Sequence, residues 1–134
     1  METNDEIKSL AYKVTGAIYE VNHSLGCGFL EAVYQEAMEI ELRSRGLRIE
    51  PQKHIKVSYK GVELQCEYIA DIVVEGKIII ELKATSGLDN INKAQLVNYL
   101  KASGLPYGML VNFGTPRVEI ERYDNNFLTL RQQI

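Results

Sequence analysis

Hydrophobic positions along this chain switch between two periods, and each switch marks a new kind of element. From Asn4, with Asp5 and Glu6 in the first turn, apolar residues recur at Ile7, Leu10, Ala11, Val14, Ile18, Val21 and Leu25, the spacing of one helix face, and Gly26 is the natural stop. A second helical stretch opens near Phe29 or Leu30, runs through Val33, Tyr34, Ala37 and Met38 to Leu42, and closes at Gly46. The period then drops to two. Ile55, Val57 and Tyr59 alternate with polar residues, Lys60-Gly61 marks a turn, and Val62, Leu64, Cys66, Tyr68, Ala70, Ile72 and Val74 keep the even-numbered face apolar. The odd face carries Glu63, Gln65, Glu67 and Asp71. Glu75-Gly76-Lys77 is another turn signal, and the run Ile78 to Lys83 follows it. After a loop from Thr85 to Asp89, a helix capped by Asp89 or Asn90 buries Ala94, Leu96, Val97 and Leu100 and stops at Gly104. Tyr107 to Phe113 and Val118 to Tyr123 read as strands on either side of Gly114-Thr115-Pro116, and the tail from Asn125 to Ile134 carries little pattern.

This order, helices first, then strands, a helix and two more strands, predicts an α/β protein: a mixed five-stranded sheet flanked by helices, with Ile78 to Lys83 central. Its oddity is charge. Asp71, Glu81 and Lys83 stand on strands otherwise built from Ile, Val and Leu, where charge is costly unless it is paired or holds a metal. Parity decides whether they meet. A two-residue loop at Glu75 and Gly76 pairs Asp71 with Ile80 and puts Glu81 on the opposite face. A three-residue loop, 75 to 77, pairs Val74 with Ile78, Ile72 with Ile80 and Ala70 with Leu82, so that every even-face pair is apolar. In that register Asp71 stands opposite Glu81, and Lys83 follows on the same face. Hydrophobic burial therefore selects the register that gathers the charges.

Composition narrows the classes of function. With 134 residues, 46% hydrophobic and 25% charged, one domain spanning 1–134 is expected. A formal charge of -3 and a pI near 5.4 supply no global basic footprint, which counts against a protein that coats nucleic acid non-specifically. Lys53, Lys56 and Lys60, Lys93 and Lys101, and Arg117 and Arg122 are local phosphate-binding candidates, and equally what a solvated surface looks like. Cys27 and Cys66 lack CxxC spacing, the first residues lack an apolar signal core, and no run reaches a membrane-spanning length. A cytoplasmic protein with two free thiols and no membrane association is the expectation.

Carboxylates on adjacent strands are hard oxygen ligands that suit Mg²⁺, or Mn²⁺ in its place. Zinc fits poorly, because His23 and His54 are far apart in sequence and no Cys/His spacing forms a zinc site. No phosphate-binding Gly-rich loop, Gly-x-Ser-x-Gly or Cys/His nucleophile pattern is present. A metal on Asp71 and Glu81 lowers the pKa of a bound water and neutralises a phosphate, while Lys83 positions that water or stabilises developing charge. Phosphodiester hydrolysis is the natural use of such a set. Glu31, in the first turn of the second helix, is accounted for by the helix dipole alone, and Gln95 and Tyr99, four apart, by ordinary decoration of an amphipathic helix.

Taken together, these residues resemble a known family. Asp71 followed after a β-turn by Glu81-Leu82-Lys83 is similar to the metal-binding signature of the PD-(D/E)XK nuclease superfamily, whose members share a restriction-endonuclease-like core. Gly28-Phe29-Leu30-Glu31-Ala32-Val33-Tyr34 resembles the signature of the GxxExxY proteins, a family placed in that superfamily. Gln95-Leu96-Val97-Asn98-Tyr99-Leu100 resembles the Gln-xxx-Tyr helix of its RecB-like and phage-exonuclease-like branches, and Tyr107 to Gly114 its late strand. Asp-x9-Glu-x-Lys alone is a weak signal; with Glu31 and the Gln95/Tyr99 pair in the right order it is a strong one. One departure is that Ala70, not proline, precedes Asp71.

The resemblance implies a Mg²⁺-dependent nuclease acting on nucleic acid, DNA rather than RNA. It implies Asp71, Glu81 and the Leu82 backbone carbonyl as metal ligands, with Glu31 reaching the metal directly or through water. Lys83 is then the catalytic lysine, while Gln95 and Tyr99 line the site and position the nucleic-acid backbone or the lysine. A domain this small needs a partner subunit, as in a homodimer, to cut both strands of a duplex at once. The alternative is a catalytically silent nuclease-like module that binds nucleic acid or a protein partner. A purely structural, oligomer-forming protein is the least supported reading.

Overall fold

A computed structural model describes residues 4–125, so the tail pattern from residue 126 to Ile134 lies outside the described residues. The chain runs α1 (Asn4–Leu25), α2 (Glu31–Ser44), β1 (Ile49–Tyr59), β2 (Val62–Val74), β3 (Ile78–Lys83), α3 (Asn90–Ser103), β4 (Tyr107–Asn112) and β5 (Glu119–Asp124). The sheet has five strands in the order β1-β2-β3-β4-β5; only β3 and β4 are parallel, with α3 as their crossover. This is the mixed sheet expected, with β3 at its centre.

Each face of the sheet buries its own core. Ile72, Val74, Ile78, Ile80, Leu82, Met109, Val111 and Phe113 meet the apolar stripes of α1 and α2, among them Val14, Ile18, Tyr34, Met38 and Leu42. The other face, with Ile55, Val73, Ile79 and Leu110, is closed by Leu96 and Leu100 of α3. Ile78, Ile79, Ile80 and Leu82 are fully buried, which is why β3 reads as a continuous apolar run. Burying each such side chain contributes about 1.5–3 kcal/mol, so the strand is anchored from both sides.

The hairpin of β2 and β3 takes the three-residue loop. Val74 pairs with Ile78 and Ile72 with Ile80, while Glu75, at φ 53°, and Gly76, at φ 64°, supply the left-handed turn. The expected Ala70–Leu82 pair is not made, because the ladder stops at Ile72–Ile80. Ala70 packs with the α3-side core, whereas Ile72 and Leu82 pack with the α1/α2-side core. Side-chain parity therefore breaks at Asp71. On β1 the facing position is Gln52, held at φ 52° between the pairs Pro51–Ile72 and Lys53–Ala70. A non-glycine residue there is strained, and the distortion falls beside the acid.

Three further expectations are corrected. α2 begins at Glu31, after Leu30 as its N-cap, rather than at Phe29 or Leu30. β1 begins at Ile49, earlier than the alternation from Ile55; as an edge strand it accepts Pro51, whose missing N–H faces no partner strand. The apolar even face of β2 is not buried along its whole length, since Val62 is 65% and Leu64 38% exposed where the β1/β2 ribbon projects past α3.

Candidate active site

The site forms where β2 and β3 part. Past the last ladder pair, side chains take over the hydrogen bonding: the Leu82 N–H donates to Asp71 Oδ2 at 2.7 Å, and the Asp71 N–H donates to Glu81 Oε1 at 3.3 Å. Ala70 and Ile72 lie in opposite cores, so the Asp71 side chain between them can reach into the plane of the sheet, where it accepts what is in effect a ladder bond. N–H and C=O of one strand residue point the same way. The Lys83 carbonyl accepts from Phe113 N–H toward β4, so the Leu82 carbonyl, one residue back, is directed into the opening toward β2. Asp71's own carbonyl accepts from Gln35 Nε2 of α2 at 2.9 Å, and Gln35 is steadied by Glu39 at the same distance.

Burial and charge shift both acids upward. Glu81, 9% exposed, is pushed up to about 7, chiefly by burial; Glu31 adds to the rise, while the Asp71 N–H and Lys83 oppose it. Asp71 is raised too, again first by burial, with the Leu82 N–H opposing, Glu31 raising and Lys83 lowering. Lys83 is half-buried, and among the described residues its ammonium is the cation whose charge lowers both acids. The protein thus holds two carboxyls whose ionisation costs free energy until positive charge arrives. Asp71 Oδ1 and Glu81 Oε2 have no hydrogen-bond partner among the described residues. Hard oxygen donors of this kind fit a divalent cation, although among the described residues no group of three His, Cys, Asp or Glu side chains could hold one by side chains alone.

The remaining site residues lie around this pair at graded distances. Glu31 is exposed at the first position of α2 and reaches Asp71 and Glu81 through its charge, not through a bond. Tyr99 is half-buried on α3, stacks on Tyr68 with 12° between the ring planes, and has its phenol raised by burial and by the charge on Glu81. Gln95, one turn earlier, is exposed and makes no hydrogen bond among the described residues. α3 is held in register by the capping box of Asp89 and Asn92 at its start and by Gly104, at φ 71°, at its end.

Two residues that sequence reasoning passed over fix the neighbourhood. Gln35 lies four residues after Glu31, hence on the same helix face, a spacing that was available as a signal. Asn112, fully buried, pairs with Lys83 across β3 and β4 and clamps the segment after the lysine. Its Oδ1 accepts from the N–H groups of Thr85 (2.9 Å) and Gly114 (3.0 Å), and its Nδ2 donates to the Thr85 carbonyl (3.1 Å) and to Glu119 (2.9 Å). Gly114 closes the clamp: a Cβ there would lie 2.1 Å from the Thr85 carbonyl oxygen. From sequence, Asn112 reads only as the polar end of an apolar strand.

Comparison with known proteins is informative at this point. A family profile described as the PD-(D/E)XK nuclease superfamily matches residues 8–123. A search of curated proteins finds no match. Among solved structures, the crystal structure of SSO0001 superposes with a TM-score of 0.56 at 21% sequence identity, covering 76% of this chain and 56% of that one. The chain therefore spans a little over half the length of that protein, and the likeness is one of fold. With the family profile running from the first helix to the last strand, and the acids at the parting of its central hairpin, this chain belongs to the PD-(D/E)XK nuclease superfamily.

Proposed function

We propose that this chain is a divalent-metal-dependent nuclease that hydrolyses phosphodiester bonds, of DNA in preference to RNA, and that within its superfamily it is a GxxExxY protein. The observation that carries the reading is the Asp71–Glu81 contact at the end of the β2/β3 ladder, with Glu81 pushed up to about 7 by burial that Lys83 only partly offsets. In this reading Asp71, Glu81 and the Leu82 carbonyl hold Mg²⁺ or Mn²⁺, with Glu31 contributing through water. When bound, such an ion neutralises phosphate charge and makes water a better nucleophile. Asp71 and Glu81 present oxygen donors whose positions are fixed by the Leu82 and Asp71 N–H groups, so little reorganisation is needed. Lys83, kept in place by the Asn112 clamp just after it, donates to the attacking water or to developing phosphoryl charge. Tyr99 offers its hydroxyl and ring beside Glu81, and Gln95 extends the same helix face toward the nucleic-acid backbone. Cutting both strands of a duplex in one encounter calls for a homodimer.

A silent nuclease-like module is the alternative, favoured by one observation: Glu31 stands off from the two acids, so no three-carboxylate cluster forms among the described residues. A digestion panel over linear, circular and single-stranded DNA and RNA with Mg²⁺ or Mn²⁺ separates the two. Cleavage lost in Asp71→Asn, Glu81→Gln and Lys83→Met proteins that remain folded supports the nuclease. Tight nucleic-acid binding without cleavage under any metal supports the silent module.

A further inference from the structure

The β1/β2 ribbon does not run straight past α3. Its register slips between the pairs Lys56–Glu67 and Ser58–Glu63, and beside the slip the ribbon and Tyr99 of α3 border an open, shallow concavity of about 580 Å³. Its walls are Val57, Leu64, Cys66 and Ile69 together with the stacked rings of Tyr68 and Tyr99. The volume is that of a small-molecule pocket, for which about 300–1,000 Å³ is usual. Tyr99 lines this wall and also feels the charge of Glu81, so this one residue links the concavity to the acids. The Tyr68 hydroxyl oxygen is buried and finds no hydrogen-bond partner among the described residues.

Beyond Val57 the groove turns basic. A second hollow is lined by Lys56, Val57, Ser58, Asn98 and Lys101, and a third by Lys53, His54, Lys56 and Leu105 among others. Of the basic residues scattered along the sequence, Lys53, Lys56 and Lys101 are thus gathered along one track, where Lys53 is paired with Glu50 at 2.7 Å and Lys56 with Glu67 at 3.1 Å. Lys101 meets no acid among the described residues. Glu67, the acid on the apolar wall, is already matched by His54 at 3.0 Å and Lys56 at 3.1 Å. An aromatic wall with a lysine uncommitted to any acid beside it is what an unstacked base and its neighbouring phosphate require. A base inside a duplex cannot offer its face to such a wall.

We propose that this groove receives a single strand of nucleic acid, with one unstacked base in the concavity beside Tyr68 and Tyr99 and the adjoining phosphates over Lys56 and Lys101. The assignment rests on the nuclease reading and extends it to the strandedness of the substrate: a single strand, or the frayed end of a duplex, enters along α3 and meets the acids at Tyr99.

The test uses the full chain carrying Glu81→Gln, in EDTA so that nothing is cut, with fluorescein-labelled oligothymidylate as DNA and oligouridylate as RNA, and a duplex of the same length. Anisotropy titration is expected to show both single strands held at least about tenfold tighter than the duplex, and their ratio ranks DNA against RNA. Adding Tyr68→Ala weakens single-strand binding roughly five- to hundredfold and abolishes the fluorescence change of an aminopurine probe. Adding Lys101→Glu weakens it and lowers the slope of log K against log salt by about 0.7 or more. Leu64→Asp, at an exposed wall position, does the same to affinity should Tyr68→Ala prove unfolded by circular dichroism. Duplex binding as tight as single-strand binding overturns the proposal, and so does unchanged affinity in the folded variants or no binding of any nucleic acid. Single-strand binding in the groove by a protein that cleaves nothing with Mn²⁺ sinks the nuclease reading instead. Cleavage of duplexes that ignores Tyr68→Ala and Lys101→Glu sinks only the groove.

Discussion

Replacing Glu81 by Gln should make the metal-free protein more stable, and by an amount that depends on pH. In the folded chain this carboxyl is pushed up to about 7 from an ordinary 4.5, mainly because burial penalises its charged form. The unfolded chain ionises first as pH rises, so between about 4.5 and 7 the wild-type protein loses stability, and above 7 the loss is complete. Lifting the carboxyl by that interval corresponds to about 3 kcal/mol at pH 8. Glutamine has nearly the same shape, keeps a carbonyl oxygen for the Asp71 N–H, and pays no ionisation cost. Urea unfolding in EDTA should therefore show Glu81→Gln within about 0.5 kcal/mol of wild type at pH 4 but about 3 kcal/mol more stable at pH 8. Thermal melts at pH 8 should shift upward by roughly 10 °C. A variant no more stable than wild type at pH 8, or equally stabilised at both pH values, would refute the claim that burial drives the shift.

Further tests follow from the same geometry. Mn²⁺ added at pH 8 should raise the wild-type melting temperature by several degrees and leave Glu81→Gln nearly unmoved, as differential scanning fluorimetry would show. Lys83→Met should lower the Mn²⁺-dependent cleavage rate by about a hundredfold or more, with the melting temperature held near that of wild type. Gly114→Ala should cost at least about 3 kcal/mol in urea, because the new methyl meets the Thr85 backbone, which the Asn112 side chain holds in place. Tyr34→Phe should cost about 1–3 kcal/mol: this buried hydroxyl donates to the Gly26 carbonyl at 2.6 Å and accepts from the Phe29 N–H, and hydrogen exchange at Phe29 should quicken with it.

Much of the fold was legible because burial is periodic. The alternation from Val62 to Val74 and the run from Ile78 left one hairpin loop that kept every even-numbered pair apolar, and the observed Val74–Ile78 and Ile72–Ile80 pairs are those pairs. Parity reasoning fails where its premise, an unbroken ladder, fails. Nothing in the sequence around Asp71 announces that the ladder stops, since the distortion is shared with Gln52 on a strand whose pairing is a tertiary fact. Asn112 was opaque for a different reason: two of its four bonds go to Thr85, which only the β3/β4 crossover brings near. Gln35 lay within reach of helix geometry, but its partner is a backbone carbonyl, which leaves no mark on sequence.

Asp71 accepts the Leu82 N–H, and Glu81 accepts the Asp71 N–H; each acid is therefore also a piece of the hairpin's own bonding. The Lys83 side chain enters no hydrogen bond or ion pair among the described residues. A chain of this fold without catalytic activity would still be under pressure to keep an acceptor at the first two positions, because their loss strands backbone donors in a buried setting. The lysine is bound by no such debt. In other chains of this shape, then, an intact pair of acids speaks for the architecture, and it is the basic residue two places further along that reports whether the chemistry is still in use.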